Sequence, residues 1–368
     1  MQESPEVRLN PPNEDHHVPR IASVQTLKST YLSHESSSES PENELLSSEL
    51  QALAQVHLES MAKPCRFNIL IAGDAGLGKS AFIECLLKLK FNCGLIPSIL
   101  TEEITPKGPV RPPTKSICHN RASKVEGGLN VHLDLIDTPG YGTWGRFEEW
   151  LRTIGEFIKG ENLRYVSTKE RERKAEDTRI HLCLYFLEGP RIKQNDLSAL
   201  HSLQSLVNIL PILAKADAFT PMEIVQVKLE IIQQCAEAGL RLFDCAKYLG
   251  EDIRLITESP LGPCPPFAVI SSVQCLEPTP GRVIYGRLYP WGVCDVNNPC
   301  HSDFNLLYHV LIGYLLQPAI DETKLLVRHL GSPQSLLKES CPDPTVLTIG
   351  CFLGLVALGS LITYRLTR

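Results

Sequence analysis

Gly73-Asp74-Ala75-Gly76-Leu77-Gly78-Lys79-Ser80 is the stretch on which the reading of this chain turns. Four residues separate its first glycine from Gly78-Lys79-Ser80, the spacing of a phosphate-binding loop. An apolar strand-like run, Phe67 to Ala72, comes before it, and a helix-like run, Ala81 to Leu89, comes after it. Strand, loop and helix in that order are the context the pattern needs. Glycines let the backbone turn its N–H groups onto phosphate oxygens without a Cβ clash, and the helix N-terminus adds partial positive charge. Lys79 is expected to reach the β and γ phosphates of a nucleotide, and the Ser80 hydroxyl to ligate Mg²⁺. Gly73 to Ser80, with Ala81 following, are the candidate phosphate contacts.

A second string, Asp137-Thr138-Pro139-Gly140, ends the run Val131 to Ile136, whose alternation predicts a strand. Gly127-Gly128 upstream predicts a hairpin turn. A carboxylate at the carboxyl end of a strand stands where open α/β sheets bind ligands. Asp137 is expected to hold Mg²⁺ through water, and the Gly140 N–H to contact a γ-phosphate.

A third string, Ala214-Lys215-Ala216-Asp217, follows the buried-strand run Val207 to Leu213. A carboxylate here can accept both N1–H and the 2-amino group of guanine; adenine lacks those donors and would leave the acid unpaired. The Lys215 stem can pack along the base. The ordered set predicts a domain binding GTP or GDP with Mg²⁺. Its fold class is a three-layer α/β phosphate-loop fold with a mostly parallel sheet.

These residues resemble the septins. The base string is the form septins carry, and Asp137-Thr138-Pro139-Gly140-Tyr141-Gly142 and Asp177 to Phe186 are septin-like. Gly286-Arg287-Leu288-Tyr289-Pro290-Trp291-Gly292, followed by Asn298-Pro299-Cys300-His301-Ser302-Asp303-Phe304, is similar to the septin unique element. The resemblance runs from about Pro64 to Leu316. It implies a GTPase of the TRAFAC type, with a septin domain over 64–318 whose unique element, 275–318, packs beside the base site. It also implies a dimer with itself or other septins through the nucleotide face, with filaments beyond it. Thr114 matches the switch threonine that completes the Mg²⁺ shell in hydrolysing septins. Arg287 matches the arginine that packs on guanine, and Trp291 an aromatic at the contact between two nucleotide faces.

Three positions depart from the family. Ala81 stands where septins usually have Thr. Ser271-Ser272 stands where the base loop usually offers glycine, which leaves Ser271 as the candidate contact. The loop Leu187 to Lys193 is shorter than the family's and has no histidine. Arg191 in that loop has two readings: an arginine finger acting on the partner's nucleotide, or a solvated loop arginine.

Residues 346–364 carry no charge and are followed only by Arg365, Leu366, Thr367 and Arg368. As a helix this run would span about 28 Å, close to a bilayer's hydrocarbon core. A C-terminal transmembrane anchor is expected, with the domain on the cytosolic face of the mitochondrial outer membrane or the endoplasmic reticulum. The stretch 319–345 has no sustained heptads and reads as a linker.

The 368 residues carry 36 Lys and Arg against 42 Asp and Glu, a net charge of −6. This balance argues against nucleic acid as principal partner. Thirteen cysteines lack paired CxxC spacing and are expected to be reduced and largely buried. The polar start is unlike a signal peptide. Residues 1–43 have the composition of a disordered arm. Residues 44–62 fit a loosely amphipathic helix, without the basic cluster of a lipid-binding one. Lys169 to Asp177 reads as a solvated mixed-charge helix face. Three functions fit this set: a slow GTPase, a scaffold that holds nucleotide without hydrolysing it, and a tail-anchored GTPase of the organelle-import or immune-associated type.

Overall fold

The run predicted at Phe67–Ala72 forms β1 (Cys65–Gly73), buried from Phe67 to its end. Strands covered on both faces are apolar throughout rather than alternating, which is why the run is continuous. The computed structural model describes residues 65–92, 103–105, 108–110, 114–126, 129–171, 176–279, 281–290 and 292–330. The expected arm over 1–43, the helix over 44–62, Trp291, the span over 346–364 and the tail 365–368 lie outside the described residues. Among the described residues no helix is long and apolar enough to cross a membrane.

The helix α1 (Lys79–Phe91) leaves the phosphate loop directly. Two short strands, β2 (Glu103–Thr105) and β3 (Gly108–Val110), pair with each other. The main sheet adds β4 (Cys118–Glu126), β5 (Leu129–Asp137), β6 (Leu182–Leu187), β7 (Asn208–Leu213) and β8 (Phe267–Ala268) to β1. Its order is β4-β5-β1-β6-β7-β8. Five of the strands run parallel; β4 is antiparallel to β5, with Glu126 opposite Leu129 across the predicted hairpin. Ile71 stands beside Asp137, and Gly73 beside Phe186. The carboxyl ends of β1, β5 and β6 therefore meet at one edge of the sheet.

The helices between strands are α2 (Phe147–Arg171), α3 (Gln194–Leu203) and α4 (Pro221–Glu237), with two single turns, α5 (Ala246–Leu249) and α6 (Arg254–Thr257), before β8. The start of α4 is written locally. Thr220 accepts from the Glu223 N–H, Glu223 reaches back to the Thr220 N–H, and Pro221 takes the first turn. A second antiparallel sheet, in the order β11-β10-β9, comprises β9 (Cys275–Thr279), β10 (Arg282–Tyr289) and β11 (Gly292–Asp295).

Two expectations are corrected. The domain does not stop at 318. Helix α7 (Phe304–Val310) passes through a π turn at Leu311–Leu315 into α8 (Leu316–Leu330), which occupies the start of the expected linker. Leu316, Ala319, Ile320 and Thr323 form its buried stripe. Pro318 lies inside α8, and the widened turn just before it accommodates the missing N–H. The charge run is not wholly solvated either: Asp177, at its end, turns inward to the buried Arg179 and His181. Its carboxyl is held well below the usual range: Arg179 and His181 outweigh the upward push of burial. Among the described cysteines all are free thiols, and Cys85, Cys183, Cys235, Cys245 and Cys264 are buried.

Candidate functional site

The phosphate loop joins β1 to α1. Gly73, Gly76 and Gly78 have φ of 131°, 74° and 82°, all in the region that favours glycine. A Cβ on Gly73 would lie 2.4 Å from the Phe186 carbonyl, so the close approach of β1 and β6 admits no side chain there. Lys79 is buried, and its Nζ donates to the carbonyls of Gly73 (3.1 Å) and Asp74 (2.6 Å). Burial pushes the Lys79 ammonium down to about 8, against the pull of Asp137, Asp74 and Asp196.

Ser80, Thr114 and Asp137 come together from three separate parts of the chain. The Ser80 hydroxyl donates to Asp137 Oδ2 at 2.6 Å and lies 3.0 Å from Thr114 Oγ1. Thr114 donates to the same carboxylate oxygen at 3.2 Å. The other oxygen, Asp137 Oδ1, is buried with no partner among the described residues. Burial raises the Asp137 carboxyl, and the two hydroxyls and Lys79 act against that rise. An all-oxygen set with an unspent buried carboxylate oxygen fits a hard divalent cation such as Mg²⁺.

Gly140 closes on the phosphate loop. A Cβ there would lie 2.3 Å from the Ala75 nitrogen. Thr138 holds this segment to β1 through the Ile71 carbonyl (2.7 Å), and the Trp150 indole N–H caps the Pro139 carbonyl (2.7 Å). Asp74 links the two loops: its Oδ1 accepts from Ala75 N–H at 2.7 Å and Gly142 N–H at 3.2 Å.

At the other end, Lys215 takes a left-handed conformation, φ 54°, and the Ala216 N–H bonds to the Val269 carbonyl at 3.2 Å. This turns Asp217 inward, its side chain 1% exposed. Asp217 Oδ2 accepts from Arg287 Nη1 at 2.7 Å and from the Tyr289 hydroxyl, while Oδ1 is buried without a partner among the described residues. Arg287 and Tyr289 are two apart on β10 and so share a face. Arg287 Nη2 also donates to the Ser271 carbonyl (3.2 Å), and the Ser271 side chain lies beside Gly78. Phosphate loop and base loop thus abut.

Arg191 stands apart: it is exposed and joins none of these clusters. The loop that carries it is nonetheless fixed. Gln234 accepts from Ile192 N–H and donates to the Pro190 carbonyl. The sequence reading missed Tyr289, Lys193 and Glu188. Tyr289 was legible as the residue two places after Arg287. Lys193 and Glu188 lie in the loop after β6, at the ligand-facing edge of the sheet, but their partners are distant in sequence. A cavity of about 400 Å³ lies elsewhere, lined by Arg254, Ser259, Pro299, Leu306 and Asp303. It contains no residue of the three motifs, and its buried acid, Asp303, is engaged by Ser259, Lys228 and the Ala268 N–H.

The comparisons with known proteins agree with this geometry. The family model described as Septin matches residues 63–329. This chain belongs to the septin family. It is 32% identical over 277 residues to Septin-4 of Rattus norvegicus, an alignment covering 73% of this septin and 58% of that protein. It is 33% identical over 271 residues to Septin-1 of Drosophila melanogaster, covering 71% and 72%. The septin therefore spans a little over half the length of the rat relative it matches. Its structure is similar to that of the septin GTPase domain from Chlamydomonas reinhardtii, with a TM-score of 0.58 and 22% identity, covering 73% of this chain and 98% of that one. That likeness is one of fold.

Proposed function

We propose that this septin binds GTP and GDP with Mg²⁺ and hydrolyses GTP slowly. The carrying observation is the pair of buried, unspent carboxylate oxygens, Asp217 Oδ1 at the base end and Asp137 Oδ1 at the phosphate end. A buried acceptor without a donor costs free energy that a ligand's N–H groups or a cation can recover. Asp217 reads guanine, with Arg287 and Tyr289 holding its other oxygen. The phosphate-loop N–H groups and Lys79 hold the phosphates. Ser80, Thr114 and Asp137 hold Mg²⁺, which when bound neutralises charge on the transferring phosphate. Thr114 and Gly140 position the attacking water.

The same reading has the septin dimerise with itself or other septins through the nucleotide face, around Trp291, and extend into filaments. Arg191 reaches the partner's nucleotide as an arginine finger. Residues 346–364 anchor the chain in the mitochondrial outer membrane or the endoplasmic reticulum, with the GTPase domain on the cytosolic side. Nucleic acid is not a partner.

GTP conversion by the full chain, followed against protein concentration, tests the enzyme reading. Specific activity should rise with concentration and fall about 10³-fold in Arg191→Ala. Ala81 and Ser271, where septins usually have Thr and Gly, favour the second reading, a nucleotide-stabilised scaffold. GTP that stays bound and unhydrolysed at every concentration would select the scaffold.

A further inference from the structure

Asp74 puts a carboxylate inside the phosphate loop. The loop exists to present N–H groups to anions, and a carboxylate among them repels the same anions. Asp74 occupies this position, and its side chain is 16% exposed. Its Oδ2 accepts from Lys193 Nζ at 2.8 Å. Lys193 also donates to Glu188 Oε2 at 3.0 Å, and Glu188 Oε1 accepts from Lys215 Nζ at 3.2 Å. The chain of charges runs from the phosphate loop to the base loop.

We propose that Lys193 is a specificity-determining residue of the nucleotide site, the counter-charge that lets a phosphate loop containing an acid accept a triphosphate. The inference rests on the nucleotide reading above. Burial pushes the Asp74 carboxyl up, but the Lys193 hydrogen bond and the Ala75 N–H outweigh it, and the acid stays ionised. Asp74 and Glu188 in turn hold the Lys193 ammonium above its ordinary range. Both partners are therefore charged at neutral pH, and the Asp74–Lys193 pair is electrically balanced.

Without Lys193 the Asp74 charge would stand uncompensated next to Ala75. That is the residue on which Gly140 closes, with a hypothetical Cβ only 2.3 Å from its nitrogen. Gly140 is assigned to the terminal phosphate. The uncovered charge would fall at the end of the site where a triphosphate carries more negative charge than a diphosphate. As a contribution to folding, an ion pair with a lysine 45% exposed is worth little. Its weight is on the ligand, because the repulsion it cancels appears only when phosphates arrive.

The test measures Kd for fluorescent GTP and GDP analogues, with Mg²⁺, on the full chain. The variants are Lys193→Gln, Lys193→Arg, Asp74→Asn and the double Lys193→Gln/Asp74→Asn. In Lys193→Gln, GTP should weaken about tenfold and GDP no more than about threefold, a gap that shrinks as salt is raised. Removing the acid as well should bring the GTP-to-GDP ratio back to within about twofold of wild type, the signature of a charge-balance role. Lys193→Arg should keep the wild-type ratio. An unchanged ratio in Lys193→Gln, or a double variant as displaced as the single one, overturns the proposal and leaves Lys193 a structural tie. Wild-type protein that binds neither nucleotide would instead sink the nucleotide reading itself.

Discussion

Arg287 Nη1 lies 2.7 Å from Asp217 Oδ2, across seventy residues of sequence and between two separate sheets. One comes from the three-stranded sheet, the other from the loop after β7. The guanidinium fixes one carboxylate oxygen and leaves the other buried and unpaired. Burial works to lower the Arg287 proton affinity, but Asp217 and Tyr289 more than offset it, so the arginine stays charged. Asp217→Asn should weaken GTP by roughly 10²-fold and improve binding of xanthosine triphosphate, whose C2 carbonyl accepts where guanine donates. Arg287→Ala should weaken every guanine nucleotide by about tenfold, because Asp217 loses its orienting partner. Competition titrations with the two triphosphates check both; equal loss for both bases in Asp217→Asn would remove Asp217 from base reading.

Thr114→Ala deletes the hydroxyl shared by Ser80 and Asp137. Turnover should fall about tenfold or more while GTP affinity shifts less than about threefold, since the phosphate loop is untouched. Gly140→Ala should lower both turnover and GTP affinity, because its methyl would drive into the Ala75 backbone of the phosphate loop. Single-turnover rates at saturating nucleotide separate the two effects from binding.

Lys79 gives the site a pH dependence. Its ammonium is lowered from 10.5 to about 8 by burial. Phosphates would raise it again, so binding takes up a proton between pH 8 and 10.5. Affinity for GTP should therefore fall as pH rises through that window, by up to about tenfold per unit. The nucleotide-free domain should do the opposite. Its unfolded state holds the proton to higher pH than its folded state, so stability rises from pH 8 towards 10.5. Titrations at pH 7.5, 8.5 and 9.5 with unchanged Kd would contradict the placement of Lys79 on the phosphates.

Lys228 and Asp303 form an ion pair of 2.7 Å with side chains 1% and 2% exposed. Removing the ammonium leaves a buried carboxylate without its counter-charge, a change that costs about 3–5 kcal/mol. Lys228→Met should lower Tm by roughly 10 °C for a domain of this size. Asp303 also joins α7 to β8 through the Ala268 N–H at 2.8 Å, so the loss should spread to the base loop. Calorimetry measures it, and a shift of a degree or two would show that the pair is dispensable.

Local chemistry wrote much of this protein legibly. Gly73 to Ser80 specify a turn that only glycines can make. The run before Asp137 reads as a strand by its alternation, and the apolar run before Ala214 as one buried on both faces. Thr220-Pro221-Met222-Glu223 opens a helix through its own side chains. Ser80, Asp137 and Asp217 are recognisable from their places after strands, whereas Thr114 is found only through the resemblance to septins. The boundary at 318 follows the extent of the resemblance, which says nothing of α8; the π turn that admits Pro318 depends on how α7 and α8 pack. Asp177 misled because its run is charged, while its partners Arg179 and His181 are buried by the sheet.

The sequence by itself determined the order of the strands' chemistry: which residue types stand at which strand ends, and hence what the site can bind. The tertiary structure alone decided which of them meet. Tyr289 on Asp217, Lys193 on Asp74 and Ser80 on Thr114 are contacts across 72, 119 and 34 residues. Local propensity has no information about such pairs. They exist because a parallel sheet brings the carboxyl ends of distant strands to one edge, where each charge finds its partner only after the core between them has formed.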